Sequence, residues 1–261
     1  MNPVNAAPLA GLLWDVDGTL AETERDGHRR AFNRAFDEAG LPLQWDEAAY
    51  GRWLAVSGGH ERIRAALTAL EGQEPAPQRV ADLQACKQRH YAALVEAGEL
   101  RLRPGVAALI RAAAQAGLPQ AIVTTSGRVA VRSLVDRLLP DLAEAFAFWV
   151  CGEDVQRKKP DPQAYRCAVE QLRLPPAQLL VLEDSPAGLA AASGAGLACL
   201  LSVSHYGRSL PLTAFAAARA VVSGLGPEDR VLRGPACRTN PGTLSYLQHL
   251  VAAPSVLSPA P

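Results

Sequence analysis

Leu9-Ala10-Gly11-Leu12-Leu13-Trp14-Asp15-Val16-Asp17-Gly18-Thr19 is the stretch that decides the fold. Its apolar run, residues 9–16, is too short for an ordinary helix. It stops at the turn signal Asp17-Gly18, so it reads as a buried strand with acids at its end. After Pro104 the chain repeats that theme. Helices over 106–116, 129–139, 162–172 and 187–195 alternate with strands over 120–124, 146–151, 179–182 and 198–201, and a short strand is expected at 220–222. Alternation of this kind predicts an α/β fold, a parallel sheet with crossover helices. Between the first strand and this alternation lie four helical segments, 25–39, 46–56, 61–70 and 78–97, with no strand-like run among them. They predict a small all-helical insert, or cap.

The expected organisation is a discontinuous core, 1–22 and 98–225, with a cap over 23–97. A tail over 226–261 is rich in proline and glycine. That tail is expected either to wrap the surface or to be partly disordered, with one helix near 244–251. The 261 residues are 49% hydrophobic, enough to bury a sizeable core without a disulfide or metal staple. Twenty-six basic residues balance 26 acidic ones, which argues against a general nucleic-acid binder. Five scattered cysteines form no C-x-x-C pair, so neither a zinc site nor a disulfide framework is expected, and reduced thiols in a cytoplasmic protein are. No apolar run is long enough for a membrane span, and the first ten residues do not resemble a secretory signal.

In open parallel sheets, ligands bind outside the carboxyl ends of the strands. The first strand ends in Asp15-Val16-Asp17-Gly18-Thr19, and the second core strand in Thr124-Thr125-Ser126. The third leads to Lys158-Lys159-Pro160, and the fourth ends in Glu183-Asp184-Ser185. Each alone has a plain reading: a loop Asp-x-Asp, a β-branched strand residue, a solvated turn, an N-cap pair. Together they assemble several carboxylates, one ammonium and hydroxyl donors. Such carboxylates repel one another unless a hard cation joins them, and Mg²⁺ prefers oxygen ligands. A set of this kind suits phosphoryl transfer.

These residues, in this order, resemble the four motifs of the haloacid dehalogenase (HAD) superfamily phosphatases. The resemblance covers roughly 9–225 and implies a HAD-like Rossmannoid sheet. The helical insert resembles the cap of the β-phosphoglucomutase-like subgroup. Glu22, His28, Arg29, Phe32-Asn33 and the loop Ser57-Gly58-Gly59-His60-Glu61-Arg62-Ile63 are similar to the CbbY-like family. Trp14 stands where that family usually has Phe, and His60 where its cap loop usually has Lys.

The resemblance implies that Asp15 attacks phosphorus and that Asp17 acts as acid and base. Mg²⁺ would be held by Asp15, the Asp17 carbonyl, Asp184 and Glu183. Thr124, Thr125 and Lys159 would hold the transferring group. Glu22, His28, Gly58, Gly59, His60 and Arg62 would contact the rest of the substrate, with Arg29, Arg52 and Lys87 as further cap cations. The implied task is removal of the 1-phosphate from xylulose 1,5-bisphosphate in the Calvin cycle, by a monomer or weak oligomer. A phosphoglucomutase-type isomerase, a phosphoglycolate or other sugar-phosphate phosphatase, a dehalogenase and a non-catalytic phospho-acceptor remain as alternatives. The acid at Asp17 argues against the dehalogenase, and the cap against the phospho-acceptor.

Overall fold

The computed structural model describes residues 8–252. Strand β1 spans Gly11–Trp14 and begins the sheet. A π-helical turn, Glu24–His28, then runs directly into α1, Arg29–Glu38. Helices α2 (Glu47–Trp53), α3 (Gly59–Glu71) and α4 (Pro77–Glu96) complete the insert. The alternating part follows as α5 (Val106–Gln115), β2 (Gln120–Val123), α6 (Arg128–Leu138), β3 (Phe146–Val150), α7 (Gln163–Leu172), β4 (Leu179–Glu183), α8 (Pro186–Gly194) and β5 (Ala198–Ser202). Beyond it lie β6 (Ala220–Val222), β7 (Val231–Arg233) and α9 (Leu244–Ala252).

The described strands form one sheet in the order β3-β2-β1-β4-β5-β6-β7. All neighbours pair parallel except β7, which runs antiparallel to β6. β2 and β3 lie on one side of β1 and β4 to β7 on the other. The chain therefore reverses its direction of travel across the sheet at β1, and a crevice opens at the carboxyl end of that strand. Asp15 is the next residue.

Period-two alternation separates the two faces. Leu12, Trp14, Leu180 and Leu182 belong to one buried cluster, with α5, α6 and α9; Leu13, Leu179 and Val181 belong to another, with α7 and α8. Trp14 is fully buried, and its indole N–H finds Gln120 Oε1 at 3.0 Å, so the large ring leaves no donor unpaired. The insert has its own apolar cluster of Phe32, Phe36, Trp45, Tyr50, Ile63, Leu67, Val80 and Leu83. Its polar outer faces and this separate core explain why its helices read as a helical run rather than as crossovers.

Two expectations are corrected. The first strand is shorter than the apolar run 9–16, because after Trp14 the chain turns to present Asp15 and Asp17; only the Asp15 N–H still reaches the ladder, at Leu182 O, 3.0 Å. The tail does not simply wrap the surface. β7 adds to the sheet edge, and Tyr246, Leu247, Leu250 and Val251 of α9 are buried in the larger core cluster. Residues 1–7 and 253–261 lie outside the described residues.

Removing buried methyl groups from a packed core costs about 2–5 kcal/mol for Leu→Ala. Leu250→Ala, at a fully buried site, should lose that much stability in denaturant unfolding. A loss below about 0.5 kcal/mol, the value for an ordinary surface change, would contradict the packed position of α9.

Candidate active site

Lys159 gathers the strand ends. Its Nζ donates to Asp15 Oδ1 at 2.8 Å, to Glu183 Oε1 at 2.7 Å and to Val123 O at 2.7 Å. All three ammonium protons are thereby used, on partners that follow or end β1, β4 and β2. Burial disfavours the ammonium, but Asp15 and Glu183 outweigh it and raise the pKa of Lys159 above its ordinary value.

Glu183 is fully buried and accepts further bonds from Tyr165 Oη at 2.9 Å and from the Asp184 N–H at 3.1 Å. A Cβ placed on Gly188 would sit 1.9 Å from the Glu183 carboxyl carbon, so α8 can approach this side chain only through glycine. Asp184 is also buried. Burial, then the charges of Asp15 and Glu183, push its carboxyl well above the usual range. Burial and Glu183 likewise push Asp15 up to about 8, despite Lys159.

Asp15, Glu183 and Asp184 offer carboxylate oxygens that all lie within 4.8 Å of one another. Three buried acids share one full ammonium. An all-oxygen, electron-rich set of this kind fits a hard divalent cation, whose charge would reverse the upward shifts. The loop leaving β1 is pinned from below by buried Arg103, which donates to Gly18 O and to Val203 O at 2.7 Å. Gly18 itself has φ +84°, and a Cβ there would collide with the Asp184 carboxylate. Glycine is therefore required at this turn on both counts.

Asp17 faces a different set of groups. It accepts from Thr23 Oγ1 at 2.5 Å, Ser126 Oγ at 2.5 Å and His28 Nε2 at 2.9 Å. Burial raises its carboxyl, but attraction from His28 and these bonds more than reverse that, leaving it below the usual carboxylate range. On the far side of the ring, Lys87 Nζ lies 2.8 Å from His28 Nδ1. The imidazole thus has Lys87 at one ring nitrogen and Asp17 at the other, both within hydrogen-bond distance. The imidazole also stacks on Tyr91 at 4.2 Å. This Lys87–His28–Asp17 chain joins α4 of the cap to the end of β1.

A cleft of about 100 Å³ separates cap from core, with Asp15, Asp17, Thr125, Lys159, Asp184 and Ser185 on the core side and Glu24, Leu54, Ser57 and Arg62 on the cap side. Glu61 bridges it, holding Lys158 Nζ at 2.7 and 2.8 Å. Thr124 is buried at the end of β2, where its Oγ1 accepts from the Ser126 N–H at 3.1 Å and shapes the loop that offers Thr125. Arg62 reaches the cleft wall, though its guanidinium is largely taken by Trp53 O, Val56 O and Tyr50 Oη. Gly58, with φ +93°, sits against the Glu61–Lys158 pair, and Gly59 against Gln84.

Glu22 and His60 are not brought to the cleft wall. Glu22 accepts from the His205 N–H at 3.2 Å and lies 3.6 Å from Arg103, and His60 is exposed on the first turn of α3. Among the other cap cations, Arg29 donates to Trp45 O at 3.3 Å and Arg52 is exposed, bonded to Ala48 O. Glu24, Thr23 and Ser126 contribute instead. Their signal in the sequence was position alone: two follow the first motif and one follows Thr124.

The Lys87 ammonium has a measurable signature. Burial pushes it down to about 8 from an ordinary value of 10.5, against attraction from Glu24 and Asp17. Below about pH 8 both folded and unfolded chains hold this proton. Between about 8 and 10.5 the unfolded chain holds more, so stability rises with pH in that window. Relative to Lys87→Met, the wild type should gain up to roughly 3 kcal/mol across it. A pH-independent difference in denaturant unfolding would contradict the burial of a titrating Lys87.

Residues 9–196 match the family model described as haloacid dehalogenase-like hydrolase. The chain is 43% identical to Protein CbbY of Cereibacter sphaeroides over 201 residues, 77% of this chain and 86% of that one. It is 42% identical to Protein CbbY of Rhodobacter capsulatus, over 77% of this chain and 88% of the relative. Among solved structures, CbbY from Rhodobacter sphaeroides in complex with phosphate superposes with a TM-score of 0.76 at 40% identity, covering 83% of this chain and 94% of the other. A crystal form of an aspartate-to-asparagine mutant of that CbbY, in complex with xylulose-(1,5)bisphosphate, matches equally, at TM-score 0.76.

Proposed function

We infer that this chain, which belongs to the haloacid dehalogenase-like hydrolase family and is a phosphatase, removes a phosphate from a sugar bisphosphate, xylulose 1,5-bisphosphate, through an aspartyl-phosphate at Asp15. The observation that carries this reading is Asp15 itself. Its free carboxylate oxygen stands at the switch point of the sheet, while Lys159 holds the other oxygen at 2.8 Å.

A nucleophilic carboxylate splits one hard displacement into two easier ones. Asp15 attacks phosphorus, the bond to the sugar oxygen breaks, and that oxygen takes a proton from Asp17. Water then attacks the phosphoryl group, Asp17 takes its proton back, and Asp15 is released with free phosphate. Asp17 is poised for this second half, since His28, Ser126 and Thr23 keep it ionised. The first half needs Asp17 protonated, and the negative charge that the substrate phosphate brings beside it favours that form. Lys159 and the hydroxyl of Thr125 neutralise and orient the phosphoryl oxygens.

Mg²⁺ would be held by Asp15 and Asp184, with Glu183 beside them, and would supply charge screening between carboxylate and phosphate. Ligand sites run roughly 300–1,000 Å³, so a cleft of about 100 Å³ admits a sugar bisphosphate only after the cap swings away. That motion breaks the Glu61–Lys158 bridge, and reclosure excludes water from the phospho-aspartate. The pentulose bisphosphate rests on the ligand of the CbbY relative and on the cap side of the cleft. There Ser57, the first turn of α3 and Arg62 offer donors to a second anionic group.

Free phosphate released from a panel of sugar phosphates tests this reading. The highest kcat/KM is expected for xylulose 1,5-bisphosphate, with steady turnover in the absence of a glucose bisphosphate. Chelator should abolish turnover and Mg²⁺ restore it. Asp15→Asn should lower kcat by at least about 10³-fold while leaving the thermal unfolding profile intact. Preference for phosphoglycolate, or turnover that depends on glucose bisphosphate, would move the assignment to another member of the family.

A further inference from the structure

The acid cluster below the cleft is one of two groups of three metal-ligating side chains among the described residues. The other is in the cap and shares no residue with the cleft. It consists of Glu38, the last residue of α1, with Cys86 and His90 of α4.

Cys86 and His90 are four residues apart on one helix, so their side chains lie on the same face, one turn apart. α1 packs across that face and delivers Glu38. The Glu38 Oε2 atom lies 2.8 Å from His90 Nε2, and one ligand atom from each of the three residues falls within 4.8 Å of the others. From ordinary zinc bond lengths of about 2.0–2.3 Å, ligand atoms in a tetrahedral site are roughly 3.3–3.6 Å apart. Side-chain rotations alone span that difference.

The surroundings supply what a metal site needs beyond its ligands. Arg89 Nη2 holds the other carboxylate oxygen, Glu38 Oε1, at 2.9 Å. It leaves Oε2 turned toward His90, the kind of outer contact that orients a ligating carboxylate. Cys86 is buried while His90 is partly exposed, so sulfur sits at the base and imidazole at the rim. A surface cavity of about 390 Å³, lined by Glu38, Cys86, Arg89 and Asp82, opens onto the cluster and gives solvent a route to a fourth position.

We propose that Glu38, Cys86 and His90 form a metal site in the cap for a zinc-class cation, separate from the acid cluster of the catalytic cleft. The mixed sulfur, nitrogen and oxygen set selects against Mg²⁺, which takes oxygen alone, and favours Zn²⁺ or its spectroscopic surrogate Co²⁺. Binding deprotonates the thiol, forms one metal–sulfur bond and releases that proton to solvent. The bound ion would tie the end of α1 to the middle of α4.

Co²⁺ titration of the full chain, with excess Mg²⁺ present to occupy oxygen-only sites, tests the proposal. One equivalent of Co²⁺ should raise a thiolate-to-cobalt charge-transfer band together with the visible absorption of a tetrahedral ion. Zn²⁺ should bleach both. Cys86→Ala should lose the charge-transfer band, and His90→Ala and Glu38→Gln should each weaken Co²⁺ binding by tenfold or more. Zn²⁺ should raise the Tm of the wild type and leave that of His90→Ala unmoved. These three residues lie outside the catalytic machinery, so phosphate release without Zn²⁺ should survive in all three variants. Circular dichroism at the start of each titration confirms that the variant is folded. No cobalt band in the wild type, or a band that persists in folded Cys86→Ala and His90→Ala, overturns the site. Both results are independent of which phosphate ester the enzyme hydrolyses.

Discussion

The contact on which the rest of the structure depends is the ammonium of Lys159 between Asp15 and Glu183. Three carboxylates are buried at the carboxyl ends of β1 and β4, and the Lys159 ammonium bonds two of them directly. Buried charges are costly unless paired and hydrogen-bonded. The chain satisfies Lys159 completely, with Asp15, Glu183 and a backbone carbonyl. It satisfies Glu183 with a tyrosine hydroxyl and backbone N–H groups as well. Asp15 and Asp184 are less fully paired, and burial with their mutual repulsion pushes both carboxyls upward. Removing the lysine would leave several kcal/mol of uncompensated buried charge. Position, protonation and reactivity of Asp15 thus share one origin.

The sheet makes that contact possible. Because the strand order turns back at β1, the ends of β1, β2 and β4 stand side by side. Asp15, the Thr124–Ser126 turn and Glu183 therefore meet although they are far apart along the chain. The cap answers with a second polar chain. Lys87 and His28 reach across to Asp17, while Glu61 grips Lys158. Two acids two residues apart consequently live in opposite electrostatic settings. Asp15 is pushed up by burial and by Glu183, and Asp17 is held down by His28 and two hydroxyls. Divergent environments for paired acids are how one site assigns separate tasks to chemically identical groups.

Much of this was legible in the sequence, for identifiable reasons. Short apolar runs ending in acids or hydroxyls marked β1, β2 and β4, and helix-period segments without strands marked the cap. The four strand-end motifs needed only the parallel topology to bring them together. Other features were hidden because they depend on tertiary contact. The proline- and glycine-rich tail gave a weak pattern, yet α9 buries four side chains against the core. Glu22 looked like a site residue by position, but the His205 N–H and Arg103 draw it away. His60 lies in the right loop, on the exposed side of the first turn of α3. Thr23, Glu24 and Ser126 were adjacent to motifs, and only the fold reveals which of their side chains turn inward.

The central claim is that Asp15 becomes covalently phosphorylated during turnover. Rapid quench of the Mg²⁺-loaded enzyme with substrate labelled at the transferable phosphate measures this directly. The account predicts a transient, hydroxylamine-sensitive label on the peptide carrying Asp15, with no label in Asp15→Asn. Turnover without any labelled enzyme, or label on a different residue, would contradict it.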